Sequence, residues 1–423
     1  MFDFFYSIGI KIYGFLIYLY SFKDPKAAKW IEGRQGQWRA IRKNLNPRKK
    51  KFWIHCASLG EFEQGRTLID RLKEIYPDTE LVVTFFSPSG YEIRHNYKNA
   101  DHVFYLPIDS KENARWFIHH VNPRLAVFIK YEYWYFYYKT LNEQNIPLIQ
   151  VSTTFRADQT FFRWYGKPLR KILTYVDHFF LQDSNSADLL DDLGFYNHSR
   201  INDTRFDRVN TMAKRSVRLP FLEKFTAGKA VLIGGSTYRK EEEIIEKIID
   251  NNWDGKVIIA PHQVNRERIE EIAGRFSESY CIYSEIPEAE DWEEKQVMVI
   301  DKIGMLGSLY RYGSIAFIGG AFHDHLHNTL EPAAYGLPII VGPQYHKFRE
   351  VSKLISKGGA FSISDSGQFI KLLEEELNTE EQREERGQKA RKFVKDNTGG
   401  TEKVVNHIRT LLPSKKPSKK QGA

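Results

Sequence analysis

The chain of 423 residues predicts an α/β protein of two doubly wound domains preceded by a membrane-associated helix. Three observations carry that expectation. The length exceeds what one hydrophobic core serves, so two domains of roughly 150 to 200 residues each are expected. Short β-branched and aromatic runs alternate with amphipathic helical stretches in two successive series, separated by a polar stretch around 207–228, which is the pattern of parallel sheets with crossover helices. The first 22 residues are apolar almost throughout, and a dense basic block follows them.

That N-terminal run, MFDFFYSIGIKIYGFLIYLYSF, is long enough to cross a bilayer. Asp3, Ser7, Lys11, Gly14, Tyr18 and Ser21 nevertheless recur at helical spacing as one narrow polar stripe, which fits an interfacial or shallowly inserted helix. A helix packed on the chain's own core is the other reading of the same pattern. Residues 23–51 hold eleven Lys/Arg against Asp24 and Glu32, a charge of +9, larger than the +8 of the whole chain. By the positive-inside rule this block, and everything after it, is expected to remain cytoplasmic against anionic lipid. Charge gathered beside a helix, not spread over a domain face, gives no reason to expect a nucleic-acid partner. The tail at 413–423, PSKKPSKKQGA, reads as a solvated, disordered end. Cys56 and Cys281 stand in no paired spacing, so zinc and redox motifs are absent and a reducing compartment is expected.

Strands are predicted at 52–58, 80–86, 102–108, 124–130, 146–152 and 178–183 in a first domain spanning 52–210. A second domain, 211–412, has strands at 230–236, 256–262, 279–285, 296–301, 314–320 and 337–343, and is closed by helices at 379–396 and 401–412. Such sheets bind ligands at the carboxyl ends of their strands, so chemistry is sought in the loops just after each run.

In HCASLGEFEQG, residues 55–65, a strand ends at Ser58 and Glu61 falls in the first turn of a helix. A carboxylate there is favoured by the helix dipole and suits a general base. The same Ser58-x-x-Glu61 spacing is a capping box, a structural device, and spacing alone leaves both readings open. Glu132 follows the strand 124–130 among Tyr131, Tyr133 and Trp134, and is placed at the mouth of an interdomain cleft or on an aromatic helix face. In IGGSTYRKEEE, Ser236 and Thr237 are expected to open a helix and cradle an anion. No Walker GKS/GKT and no GxGxxG is present. In GGAFHDHLHNTLEPAAYG, Asn328 is expected to cap a helix whose free N–H groups at 328–330 face a phosphate, with Glu331 accepting from ribose hydroxyls. His323, His325 and His327 alternate and would point one way in an extended loop, but no HExxH or carboxylate set accompanies them, and no metal is expected.

HCASLGEFEQ, VTFFSPSGYE, Glu132-x-Trp134, TRFDRV, GGSTYRKEEE and GGAFHDHLHNTLEPAAYGLPIIVGP, in this order, resemble the 3-deoxy-D-manno-octulosonic acid (Kdo) transferases over nearly the whole chain. The resemblance implies a GT-B fold of two Rossmann-like domains facing a cleft. It implies an inverting, metal-free and cofactor-free transfer of Kdo from CMP-Kdo to a lipid A precursor (lipid IVA) in lipopolysaccharide biosynthesis. Another GT-B nucleotide-sugar enzyme, with a different lipid acceptor or an epimerase activity, is the alternative. The family's catalytic base falls on Glu61 and its second acidic motif on Glu132, with Tyr135 and Phe136 replacing the usual Pro-Asn. Its CMP-binding loops fall on His262 and Gln263, on Ile303, Gly304 and Met305, and on Asn328, Thr329, Leu330 and Glu331. The first two loops depart from the common Arg-His and Met-Gly-Glu, and the last matches fully.

Overall fold

A computed structural model describes residues 2–130, 132–215, 218–277, 279–288 and 291–412. The expectations for Tyr131 and for the 413–423 tail lie outside the described residues. The chain divides into two compact units, residues 1–207 with 398–423, and residues 208–397.

The first unit is built on a parallel sheet of seven strands: β1 (Lys51–Cys56), β2 (Glu80–Phe85), β3 (His102–Tyr105), β4 (Pro123–Ile129), β5 (Leu148–Thr153), β6 (His178–Leu181) and β7 (His198–Arg200). Their spatial order is β3-β2-β1-β4-β5-β6-β7, and every pairing is parallel. β1 and β4 are buried on both faces, as continuous apolar runs in such sheets must be. One face holds Trp53, Phe128, Tyr137 and Tyr138, and the other holds Phe52, Ile54, Leu68 and Leu72.

The second unit repeats the plan with β8 (Val231–Thr237), β9 (Lys256–Pro261), β10 (Tyr280–Ile282), β11 (Val297–Val299), β12 (Ile315–Ile318), β13 (Ile339–Val341) and β14 (Ala360–Ser362), ordered β10-β11-β9-β8-β12-β13-β14 and parallel throughout. In both sheets the strand order reverses beside the first strand of the series, between β1 and β4 and between β8 and β12. That switch point is where doubly wound sheets open a crevice for ligands. The short edge strands β7 and β14, three residues each, have no counterpart among the expected strands.

Two expectations are corrected here. The second domain, expected to continue to 412, ends earlier, since the helix Gly400–Leu411 belongs to the first unit. Val404, Val405 and Ile408 pack beside Phe52, Leu68 and Leu72, and the Asp207 carboxylate accepts from the backbone N–H groups of Gly399 and Thr401 at 2.5 and 2.7 Å. The N-terminal helix, Phe2–Tyr20, also differs from its expected pattern. Its half-buried positions are Phe2, Asp3, Tyr6, Ser7, Ile10, Gly14 and Ile17, whereas Lys11, Tyr18 and the apolar Phe4, Phe5, Phe15, Leu16 and Leu19 are exposed. The inward stripe is fastened to the first unit. Asp3 accepts from the Tyr135 hydroxyl at 2.6 Å and pairs with Lys139 at 2.5 Å, and the Tyr6 hydroxyl donates to the buried Asp109 at 2.6 Å. Gly14 faces Ile108 so closely that an added Cβ would lie 2.8 Å from its Cδ1. The polar groups serve the helix–protein contact and the apolar groups face outward, the reverse of a surface helix in water.

Candidate active site

At the carboxyl edge of the first sheet, β1 leads into the helix Leu59–Ile75 with Ser58 at its N-cap. The capping box is not formed. Ser58 makes no cap bond to the backbone, and its hydroxyl instead donates to the Glu61 carboxylate. The other Glu61 oxygen lies 3.7 Å from the Lys130 ammonium. Glu61 is therefore a side chain held by a hydroxyl and a cation in the first turn of a helix, where the peptide dipole also favours negative charge. Lys130, the first residue past β4, has a left-handed backbone, φ 66°.

Glu132 is oriented from two sides. Its backbone carbonyl accepts from the Tyr138 hydroxyl and from Gln150 Nε2 at 3.3 Å. Its carboxylate lies 3.7 Å from Nε2 of His55, whose ring is fully buried on β1. Thr84 Oγ1 accepts from the Trp53 indole N–H at 2.8 Å and sits 2.9 Å from His55 Nδ1. The sheet thus places Glu61 and Glu132 just past the ends of the paired strands β1 and β4, one carboxylate beside Lys130 and the other beside His55. Lys130 and His55 were not singled out by sequence reasoning. Their signal was position alone: one is the first residue past a buried strand, the other a polar residue inside one.

In the second unit the anion cradle is corrected. β8 continues through Thr237, the helix begins at Arg239, and Tyr238 is its N-cap. Thr237 is buried and its hydroxyl proton is committed to Glu242 at 2.9 Å, so that donor is not free for an anion. Ser236 remains half-buried, with a left-handed backbone, φ 53°, at an irregularity of β8. The helix near Asn328 also starts later than expected, over Leu330–Tyr335 with Thr329 at the N-cap. Asn328 Oδ1 accepts from the Leu330 N–H at 3.0 Å, so that group is not free for a phosphate, and Thr329 and Leu330 are buried. Asn328 Nδ2 donates to Glu331 at 3.0 Å, and Arg208 stands 3.8 Å from the same carboxylate. Exposed in loops on this unit are Gln263, Ile303 and Gly304, with Met305 half-buried.

The three histidines are not in an extended strand. His323 and His325 N–H groups both return to the Gly320 carbonyl, at 3.1 and 3.2 Å, in a turn. Among the described residues no group of three or more His, Cys, Asp or Glu side chains is placed to hold a metal ion. His327 instead stacks with Tyr238 and lies 4.8 Å from the His262 ring, and its Nε2 is 3.2 Å from the Tyr238 hydroxyl. Burial first, then the neighbouring His262 and His325, push its pKa down to about 4. His327 is therefore uncharged above that pH and offers an anion no positive charge.

A histidine depressed below its ordinary value contributes stability present above about pH 6.5 and lost as pH falls through about 4. The difference in Tm between the parent and His327→Gln should therefore shrink between pH 7 and pH 4.5, read by scanning calorimetry. A difference that stays constant across this range would contradict the assignment.

Residues 31–208 match the family model described as 3-deoxy-D-manno-octulosonic-acid transferase (kdotransferase). A 3-deoxy-D-manno-octulosonic acid transferase of Haemophilus influenzae is 26% identical over 415 residues, covering 93% of this chain and 94% of that protein. One from Rickettsia bellii is 26% identical, covering 88% and 91%. A bifunctional glycosyltransferase/methyltransferase of Fusobacterium nucleatum is 24% identical over 78% of this chain, which spans 54% of that protein's length. Among solved structures, UDP-GlcNAc 2-epimerase from Neisseria meningitidis aligns with a TM-score of 0.58 at 12% identity, covering 85% of this chain and all of the other. MurG of Acinetobacter baumannii aligns at 0.53 and 13%, covering 85% and 99%. At these identities the structures establish the GT-B fold, two parallel seven-stranded sheets with their helices. With that fold, a family domain matched over residues 31–208 and relatives aligned along most of both chains, the comparisons support the Kdo transferase family of glycosyltransferases for this protein.

Proposed function

We propose that the chain transfers Kdo from CMP-Kdo to a hydroxyl of a lipid A precursor (lipid IVA), inverting the anomeric carbon, without a metal, at the cytoplasmic face of the inner membrane. The observation that carries the reading is Glu61, released from a capping role and held between Ser58 and Lys130 at the position of the family's base. Its carboxylate removes the proton of a glucosamine 6-hydroxyl as that oxygen attacks the anomeric carbon. The bond from that carbon to the phosphate oxygen breaks, and CMP departs with the electron pair.

Glu132, held beside His55, is the second carboxylate of the site and contacts the acceptor or the sugar. In the second unit, Ser236, Gly304, Asn328 and Glu331 receive the nucleotide, with Arg208 bringing positive charge to the Asn328–Glu331 loop. The stacked Tyr238, His262 and His327 rings offer a platform for the pyrimidine. A monoester phosphate carries less charge than a diphosphate leaving group, so local dipoles and one cation suffice to stabilise it. The outward apolar face of the N-terminal helix, followed by the +9 block, keeps the enzyme where such an acceptor resides.

The test is a transfer assay with the purified full chain, CMP-Kdo and a tetra-acylated lipid A precursor, followed by mass spectrometry. A product heavier by Kdo is expected, at a rate that EDTA leaves unchanged within about twofold. No product from CMP-Kdo would sink the donor assignment, and loss of rate with EDTA would sink the metal-free mechanism.

A further inference from the structure

The most exposed large apolar side chain among the described residues is not on the N-terminal helix. It is Trp164, 90% exposed, next to Tyr165 at 56%. Both lie in the connection between β5 and β6, in a short turn, Trp164–Gly166, that precedes the helix Lys167–Leu173. This connection leaves the carboxyl edge of the first sheet, the edge that carries Glu61 and Glu132.

The turn is firmly built. Phe155 and Phe161 are buried beneath it, and both pack against Tyr133, the neighbour of Glu132, with ring centroids 6.0 and 4.8 Å apart. Arg170 donates from Nε to the Phe161 carbonyl at 2.7 Å and from its terminal nitrogen to the Arg163 carbonyl at 3.1 Å. Gly166 allows the closure, since an added Cβ would fall 1.7 Å from the Thr160 carbonyl oxygen. A held turn that presents an indole and a phenol to water leaves their apolar surface permanently hydrated unless something covers it.

Charge indicates what covers it. From 156 to 171 the chain carries Arg156, Arg163, Lys167, Arg170 and Lys171 against Asp158 alone. Projecting Trp and Tyr flanked in sequence by Lys and Arg are the composition of a bilayer interface, where aromatic rings sit at headgroup depth and cations meet lipid phosphates. The place in the fold agrees. Phe2 of the N-terminal helix packs on Tyr135 at 4.8 Å, and Tyr135 approaches Tyr175, just past the helix that follows the turn, at 6.2 Å. The segment from Glu132 to Tyr135 is thus packed against the N-terminal helix on one side and the Trp164 connection on the other.

We propose that the Trp164–Tyr165 turn is a second bilayer contact of the first unit, seated in an anionic membrane surface and independent of the N-terminal helix in its lipid contacts. This rests on the membrane placement given under Proposed function. Two points of attachment fix the tilt of the sheet edge relative to the membrane, which one helix alone does not.

The test uses the full chain and flotation with phosphatidylcholine vesicles containing phosphatidylglycerol. Trp164→Ser/Tyr165→Ser should reduce the partition coefficient about tenfold. Vesicles with brominated acyl chains should quench tryptophan emission of the parent more than that of Trp164→Phe. Unchanged thermal melting of these exposed-site variants confirms that folding is intact. A companion variant, Phe15→Ser/Leu16→Ser, reports on the helix. If it loses binding while the turn variant partitions within about twofold of the parent and quenching is the same with and without Trp164, the turn proposal is overturned and the membrane placement stands. If the parent itself does not float with vesicles, both fall.

Discussion

Glu61→Gln is expected to lower Kdo transfer about 10³-fold, within the range that a positioned general base supplies, while CMP-Kdo affinity stays within about threefold. Gln keeps the shape and can still accept from the Ser58 hydroxyl, which now bonds the carboxylate. It gives up the negative charge facing Lys130 and the capacity to take a proton. A purely structural Glu61 would show the opposite balance, with lower thermal stability and near-normal turnover. Single-turnover kinetics with saturating donor separate the two, because a lost base slows the chemical step itself. Turnover within tenfold of the parent would remove Glu61 from the proposed role.

The second large effect concerns stability. Arg268→Met is expected to destabilise the second unit by about 3 kcal/mol, the usual result of removing one partner of a buried pair. The Glu242 side chain is fully buried, with one oxygen accepting from Arg268 and the other from Thr237 at 2.9 Å. Burial already raises the Glu242 carboxyl above its ordinary range, and the guanidinium opposes that rise. Without Arg268 the glutamate is either a bare buried anion or a proton-binding group, and both cost stability. For a unit of this size the Tm should fall by roughly 6 to 12 °C. Adding Glu242→Gln should restore more than half of the loss. If the double variant is no more stable than Arg268→Met, lost packing of the arginine stem accounts for the effect and charge does not.

Much of this organisation was legible because parallel sheets write themselves plainly. Strands buried on both faces, such as ELVVTF and RLAVFI, are continuous apolar runs that no amphipathic surface element imitates. β7, His-Ser-Arg, was not legible, since an edge strand of three mostly polar residues carries no periodicity. The C-terminal helix was seen as a helix but assigned to the wrong unit, because Val404, Val405 and Ile408 specify an apolar face and not the sheet that receives it. The same limit governed the sites. Spacing found Glu61 and Asn328, but whether Ser58 capped a helix or bonded a carboxylate depended on Lys130, more than sixty residues away in sequence. Thr237 looked like a ligand group by motif and proved to be Glu242's partner, a relation set by tertiary burial.

The return of the last described helix to the first sheet has a consequence for synthesis on the ribosome. Domains tend to fold in the order they emerge, at about 5 to 20 residues per second. Here the strands of the first sheet are all made by residue 200, yet the helix that covers Phe52, Leu68 and Leu72 is not translated until residues 400–411. The whole of 208–397 is produced in between. For some ten to forty seconds, at those rates, the nascent first unit holds an uncovered apolar strip. A stop codon after 397 would make that exposure permanent, so truncation there should yield an aggregating product even though it removes no strand and neither Glu61 nor Glu132.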